Sequence, residues 1–452
     1  MIKIFTNNRF VPEKRYIIET IFGEYLGVSS EIVFKDHIVD YVIEMPSGKQ
    51  IVIKDGLFNL CTQDDVYLKQ ENIPSKVKSL EHSFGSGGCL PIIYGDDELK
   101  IGEDRTICGL DIFASVFYML TRFEEYVLKD RDAHDRFPAK KALSVRACFQ
   151  KRAVVDEYVD FLCEMMIYSG YKMNKERERV LNIIPTHDVD HLRRWGSLIA
   201  FTKNSMSYIL RKGATIRDIK TLMAFYWDVK TGKKDDPFDT FDFLMDESET
   251  RGTKSYFFFK ASATSKFDSG YDICSDEARK AIGKIISRGH HIGIHPGYYT
   301  YNKKDLMEKE IEGLSFAIGG KVEFGRQHYL RFEAPTTWQI LEDVGIKWDS
   351  TVGYPEVEGF RAGTCRDFPV FNFLTRKKLK LREKPLIFMD QTLTSYQLLN
   401  QKQIFDTLDG LKKTVQRHHG DLVFLWHNSS FDPLYFDREQ CQYSQYFKSI
   451  AF

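Results

Sequence analysis

At 452 residues the chain is longer than an ordinary single domain, and its 43% hydrophobic content, with many Phe and Tyr, excludes a disordered or fibrous protein. Lys plus Arg equals Asp plus Glu at 64 each, so no global field gathers nucleic acid or an anionic membrane. The eight cysteines form no CxxC pair and no dense framework of the secreted type, and are read as reduced thiols.

The opening stretch MIKIFTNNRFVPEKRYIIETIF carries charge inside its apolar run and lacks a cleavable apolar segment, so a signal peptide is not expected. No run approaches the roughly 18 to 20 apolar residues of a membrane span. Cytoplasm is the default location. From Lys14 to Leu26, Ile17, Ile18, Ile21, Phe22, Tyr25 and Leu26 recur at helical spacing and predict an amphipathic helix. Two β-rich runs, EIVFKDHIVDYVIEM and KQIVIKDGLF, flank the turn signal Pro46-Ser47-Gly48. The Gly-rich stretch from Gly85 to Gly95 lacks the Gly-Lys-Ser/Thr ending of a phosphate loop and is read as an ordinary loop. Asp111–Tyr126 and Val154–Tyr168 read as helices with wide apolar faces.

The charged run near Lys175 to Arg179 marks a domain boundary, giving an α+β N-terminal domain over residues 1–178 and a second domain over 179–452. Beyond it, candidate strands are Leu181–Pro185, Thr253–Phe259, His290–Ile294, Gln327–Leu330, Ile346–Trp348, Pro385–Met389 and Leu422–Trp426. Helices lie between several of them. Asp276–Arg288 closes at Gly289, and Thr336 with Gln339 reads as a capping box for a helix stopped by Gly345. This alternation predicts an α/β fold with a parallel sheet, closed as a distorted (β/α) barrel. A basic helical stretch at about 192–235 is read as an insertion, its charge more often a solvated face than a ligand site.

In parallel β/α folds reactive side chains gather at the carboxyl ends of the strands. Asp188, Asp190, His295, Arg331, Asp349, Asp390 and His427 all follow candidate strands. Within Thr186-His187-Asp188-Val189-Asp190 the two carboxylates, two residues apart in an extended segment, point to the same side. Such a pair calls for a cation between them or a retained proton, the alternative being aspartates that cap a following helix. In Gly289-His290-His291-Ile292-Gly293-Ile294-His295, the β-pattern argues against a helical pairing of His291 with His295, and His290 and His291 are read as structural.

With these residues in view, the second half, over about residues 181 to 430, resembles the polysaccharide deacetylases, the NodB-homology group of carbohydrate esterase family 4. Thr186–Asp190 looks like the family's TFDDG motif, which implies Asp188 as general base and Asp190 as metal ligand. Gly289–His295 is similar to GHEIGxH, which makes His295 a second ligand. Leu425-Trp426-His427 resembles the closing Leu-x-x-His motif with one residue fewer and gives His427 the general-acid role. Arg331 opens RFEAP, loosely similar to the family's Arg-Pro-Pro-Tyr, and joins the catalytic set on that likeness. The family's second ligand histidine falls where this chain has Tyr299, and a neutral phenol is a poor zinc ligand. His328 is the substitute that would complete the set, a buried hydrogen-bonding histidine being the alternative. Tyr299, Arg361, Asp349 and Trp426 are then assigned to substrate binding or pocket shaping, with salt bridging or core packing as their plainer roles. The first half is similar, through DIFASVFYMLTRFEEY and HDRFPA, to an uncharacterised domain that precedes such deacetylase domains.

The resemblance implies a hydrolase dependent on a divalent metal, most simply Zn2+, that removes an acetyl group from a carbohydrate. A non-sugar C–N amide hydrolase and a catalytically impaired glycan-binding or assembly protein are the other readings. Nucleic acid and a membrane span are not expected among the partners.

Overall fold

The structure is a computed structural model and describes residues 1–61, 66–85, 87–173, 181–195, 198–199, 201–202, 205–206, 215–263, 265–268 and 270–451. It divides into two compact units. The first comprises Met1–Asn182, Leu330–Ile387 and Lys413–Leu422, and the second Ile183–Tyr329, Phe388–Lys412 and Val423–Phe452. The boundary expected near Lys175 to Arg179 lies outside the described residues, as does most of the insertion between 196 and 214.

In the first unit, six strands pair in the order Ser30–Phe34, Ile2–Thr6, Tyr41–Glu44, Gln50–Ile53, Arg105–Leu110, Gly95–Ile101. The Pro46-Ser47-Gly48 signal forms the turn of an antiparallel hairpin, with Tyr41 opposite Ile53 and the Gly48 N–H donating to Met45 O at 2.8 Å. Gly95 has φ +92°, and a Cβ there would meet Gly109 O at 2.0 Å, so the Gly-rich stretch is needed for close backbone approach. The helix expected over Lys14–Leu26 is an α-helix over Val11–Ile18 that continues as π-helix over Glu19–Leu26. Asp111 caps Ile112–Thr121 by accepting from Ala114 N at 2.8 Å, and its other oxygen accepts from Gly56 N, which ties the preceding loop to the helix. Every side chain from Ile112 to Thr121 is buried. The predicted Asp111–Tyr126 helix is broken at Arg122, whose backbone is left-handed and whose guanidinium turns back to Glu125. Val154–Tyr168 is helical over the expected span.

The capping box expected at Thr336 is absent. Pro335 precedes the helix, Thr336 Oγ1 donates to Glu333, and the Gln339 amide is taken by Asn372 and Asp343. Gly345, at φ +88°, does follow the helix end.

The second unit is built on parallel strands ordered Phe324–Gly325, His291–Ile294, Tyr256–Phe259, Asn182–Val189, Asp421–Leu425, Phe388–Met389. Tyr256 pairs with Thr186 and His291, and Phe259 with Val189 and Ile294, so three central strands end level with one another. Their apolar residues Ile184, Val189, Phe257, Phe258, Phe259, Ile292 and Ile294 are buried, as a parallel sheet covered on both faces requires. Among the described residues no pairing is shown that closes these strands into a barrel. The helix Asp276–Ser287, capped by Ser275 and released at Gly289 with φ +74°, returns the chain to the strand His291–Ile294. The predicted strand Gln327–Leu330 is a 3-10 turn over His328–Leu330, because Tyr329 takes a left-handed conformation that no strand admits. Within the insertion, Ile216–Lys230 is helical with a capping box between Thr215 and Asp218.

Candidate metal centre

At the level strand ends, the His295 N–H donates to Phe259 O at 2.8 Å and the Arg326 N–H to Ile294 O at 3.0 Å, which fixes both residues at the carboxyl edge. Asp190 follows the neighbouring strand, and the turn at Tyr329 carries His328 to the same place. One ligating atom each from Asp190, His295 and His328 lie within 4.8 Å of one another.

The ring hydrogen bonds decide which nitrogen of each histidine faces this point. His295 Nδ1 lies 2.7 Å from Arg326 O, and a carbonyl only accepts, so Nδ1 carries the proton and Nε2 presents its lone pair. That Nε2 is 3.6 Å from both Asp188 Oδ2 and Asp190 Oδ1. His328 Nδ1 lies 2.8 Å from Asp268 Oδ1, while its Nε2 is 3.4 Å from Asp190 Oδ1. Asp268 is itself held by the Tyr298 N–H and by Ser265 Oγ. Carbonyl and carboxylate partners on the outer nitrogens are the supports that metal-ligating histidines use. Burial, the largest effect, pushes His295 down to about 4, which keeps its ring neutral near pH 7.

Asp188 is paired with Arg326, whose Nη1 lies 3.2 Å from Oδ1 and also donates to Thr186 Oγ1 at 2.6 Å. Burial would raise the Asp190 carboxyl, but Lys260, His328, His295 and His427 together hold it well below the usual carboxylate range. Its side chain keeps 21% exposure, while Oδ1, the oxygen facing His295, His328 and Lys260, is buried. His427 Nδ1 lies 2.8 Å from Asp390 Oδ1, its backbone N–H donates to the other Asp390 oxygen, and its Nε2 is 3.9 Å from Asp190 Oδ2. Burial opposes protonation of that ring, but Asp390 outweighs it and raises His427 to about 9. The imidazolium is therefore the form present at neutral pH.

Asp188, Asp190, His295, His328 and His427 thus converge. The others have different surroundings. Tyr299 is exposed, with its ring 5.2 Å from Tyr298 and Lys303 Nζ 5.5 Å from its centroid. Trp426 is buried against Tyr443 and Tyr446, with ring centroids 5.2 and 5.9 Å away. Arg331, Asp349 and Arg361 belong to the first unit. There Arg331 donates to His134 O and Asp135, Asp349 accepts from Thr351, and Arg361 forks onto Glu125 at 2.9 and 2.6 Å. His290, read as structural, accepts from Ser255 N and faces Glu249.

Sequence reasoning passed over Lys260, Arg326 and Asp268. Lys260 follows the predicted strand Thr253–Phe259, so the strand-end rule that found the aspartates applies to it. It is 2% exposed, and its Nζ lies 2.8 Å from Asp190 Oδ1 and 3.0 Å from His328 Nε2. Asp268 lies in a loop with no pattern to mark it.

By type and orientation the donors fit a divalent ion. They comprise one carboxylate and two imidazoles whose Nε2 atoms face the same point, each imidazole with a partner on its outer nitrogen. The lysine amine is the one feature not expected of such a set.

Residues 2–169 match the model of a family of unknown function (DUF7033). No curated protein matches the chain. Among solved structures it is similar to a Mycobacterium smegmatis protein assigned as a polysaccharide deacetylase, at 12% identity and TM-score 0.38, over 62% of this chain and 86% of that one. It is also similar to the polysaccharide deacetylase of Bacillus cereus, at 11% identity and TM-score 0.27, over 60% of this chain and 85% of that one. A CE4 family pseudoenzyme from Bacillus anthracis matches at 10% identity and TM-score 0.28, over 60% and 61%. No helix among the described residues is long and apolar enough to cross a membrane.

Proposed function

We propose that the chain is a metal-dependent hydrolase that removes an N- or O-linked acetyl group from a sugar or polysaccharide, with its parallel strands read as the wall of a deacetylase-type barrel. The observation that carries this reading is the convergence of Asp190, His295 and His328 beside the Asp188–Arg326 and His427–Asp390 pairs. Zn2+ suits the donors. Bound there, a divalent ion would polarise the acyl carbonyl and acidify a water.

The roles of the side chains follow from their partners. Asp188, oriented by Arg326, takes a proton from the attacking water. His427, kept protonated by Asp390, delivers one to the departing amine or alcohol. The sugar substrate is supported by the likeness of Thr186–Asp190 and Gly289–His295 to the deacetylase motifs.

A second reading, a glycan-binding or assembly protein without turnover, is favoured by Lys260, whose amine already engages Asp190 and His328. Zinc content and acetate release from acetylated sugars separate the two. The hydrolase predicts one zinc per chain and acetate production that falls at least about 100-fold in Asp188→Asn. A metal-free chain that binds glycans and releases no acetate would establish the binder.

A further inference from the structure

Lys260 leaves the strand Tyr256–Phe259 with its backbone N–H donating to Tyr271 Oη at 2.9 Å, and that hydroxyl donates to Val189 O at 2.9 Å. The clamp fixes the start of a side chain that runs inward, nearly free of solvent. Its Nζ contacts Asp190 Oδ1 and His328 Nε2, which are two of the atoms that converge with His295. The lysine head group offers only donors, so in its 3.0 Å contact with His328 the Nε2 atom accepts, and Nδ1 is left to donate to Asp268 Oδ1.

An amine and a divalent ion therefore make the same demands on this chain: one carboxylate oxygen and one imidazole lone pair. They cannot both be met. A second positive centre at hydrogen-bond distance, in a largely buried site, is strongly repelled. Lys260 also has the means to leave, since a four-carbon stem lets the amine swing away while its Cα stays clamped.

We propose that Lys260 is a built-in counter-ion that competes with the divalent ion for Asp190 and His328, so that metal loads only as the amine withdraws. This rests on the metal reading of Asp190, His295 and His328 and adds to it that the chain sets its own threshold for uptake. His295, whose contacts at Nε2 are to carboxylate oxygens rather than to the lysine, gives the entering ion a foothold before the exchange.

The test is a calorimetric Zn2+ titration of the chelator-treated full-length protein as wild type, Lys260→Met and Lys260→Gln, each checked for folding by circular dichroism and thermal unfolding. Both variants should bind one Zn2+ with at least about tenfold higher affinity than wild type. Equal or weaker binding by folded variants overturns the competition and leaves the metal reading standing. Absence of zinc binding in wild type and folded variants alike overturns the metal reading, and the competition with it. A measurement on the wild type guards against variants that do not fold. Acetylation of lysines by an amine-directed reagent, read at Lys260 by peptide mass spectrometry, should rise when saturating Zn2+ is added, and unchanged labelling counts against displacement.

Discussion

The charge on Asp190 is fixed by its neighbours rather than by its own burial. Lys260, His328, His295 and His427 all favour its ionised form, so the residue can ligate across the physiological pH range. Asp190→Asn should abolish zinc binding in the calorimetric titration, whereas Asp188→Asn, which removes a partner of Arg326, should keep zinc while losing acetate release. His427 carries a pH signature of its own. Its folded-state value of about 9 lies above the ordinary imidazole range near 6.5. The pair with Asp390 thus contributes stability that is fully present below about pH 6.5 and is lost as pH rises through about 9. In chelator-treated protein, Asp390→Asn should lower unfolding free energy by on the order of 2–3 kcal/mol at pH 6, with the deficit shrinking by pH 9.5. Urea denaturation at the two pH values measures it, and a deficit that does not change with pH would contradict the assignment.

At the scale of elements, what positions the centre is that three strands stop at the same level, and this depends on Gly293. A Cβ there would come within 2.6 Å of the Phe258 ring and 2.9 Å of Phe324 O. Gly293→Ala should therefore cost about 1–3 kcal/mol of stability by overpacking, seen as a lowered urea midpoint, and should disturb His295 two residues on.

Much at this scale was legible in the sequence. The alternation in Thr186–Asp190 and in His291–His295 marks strands, and residues that follow strands in such folds face the site. The same logic reached His328 for a reason that does not hold, since the segment is a turn with left-handed Tyr329 and not a strand. No periodicity announces two successive positive-φ residues, Tyr329 and Leu330. Lys260 stands at a strand end and was within reach of the rule, but a lone lysine after an aromatic run reads as solvated punctuation. Asp268 was out of reach because only the folded chain brings its loop beside His328.

At the scale of the molecule the chain forms two units, with residues 330–387 and 413–422 returning to the first. Arg331 and Asp349 follow candidate strands, as Asp188 and His295 do, whereas Arg361 follows none. A strand-end rule applied in sequence order does not distinguish which unit a segment serves. Their partners identify it: Glu125 for Arg361, and His134 and Asp135 for Arg331, all in the first unit. Zinc that binds only the folded second unit should also register globally. At a free concentration of about 100 times the dissociation constant, the gain is roughly 2.7 kcal/mol. Thermal unfolding should shift upward with zinc in wild type and stay put in Asp190→Ala.

The ion pair between Lys260 and Asp190 also bears on how the protein is made. Small metal sites commonly leave their domain unfolded until the ion arrives, because an unbalanced buried carboxylate has no other relief. Here that relief is encoded in the chain itself. On the metal reading proposed above, a newly made chain can complete the fold of this unit before the ion arrives, with Lys260 balancing the Asp190 carboxylate in the interval.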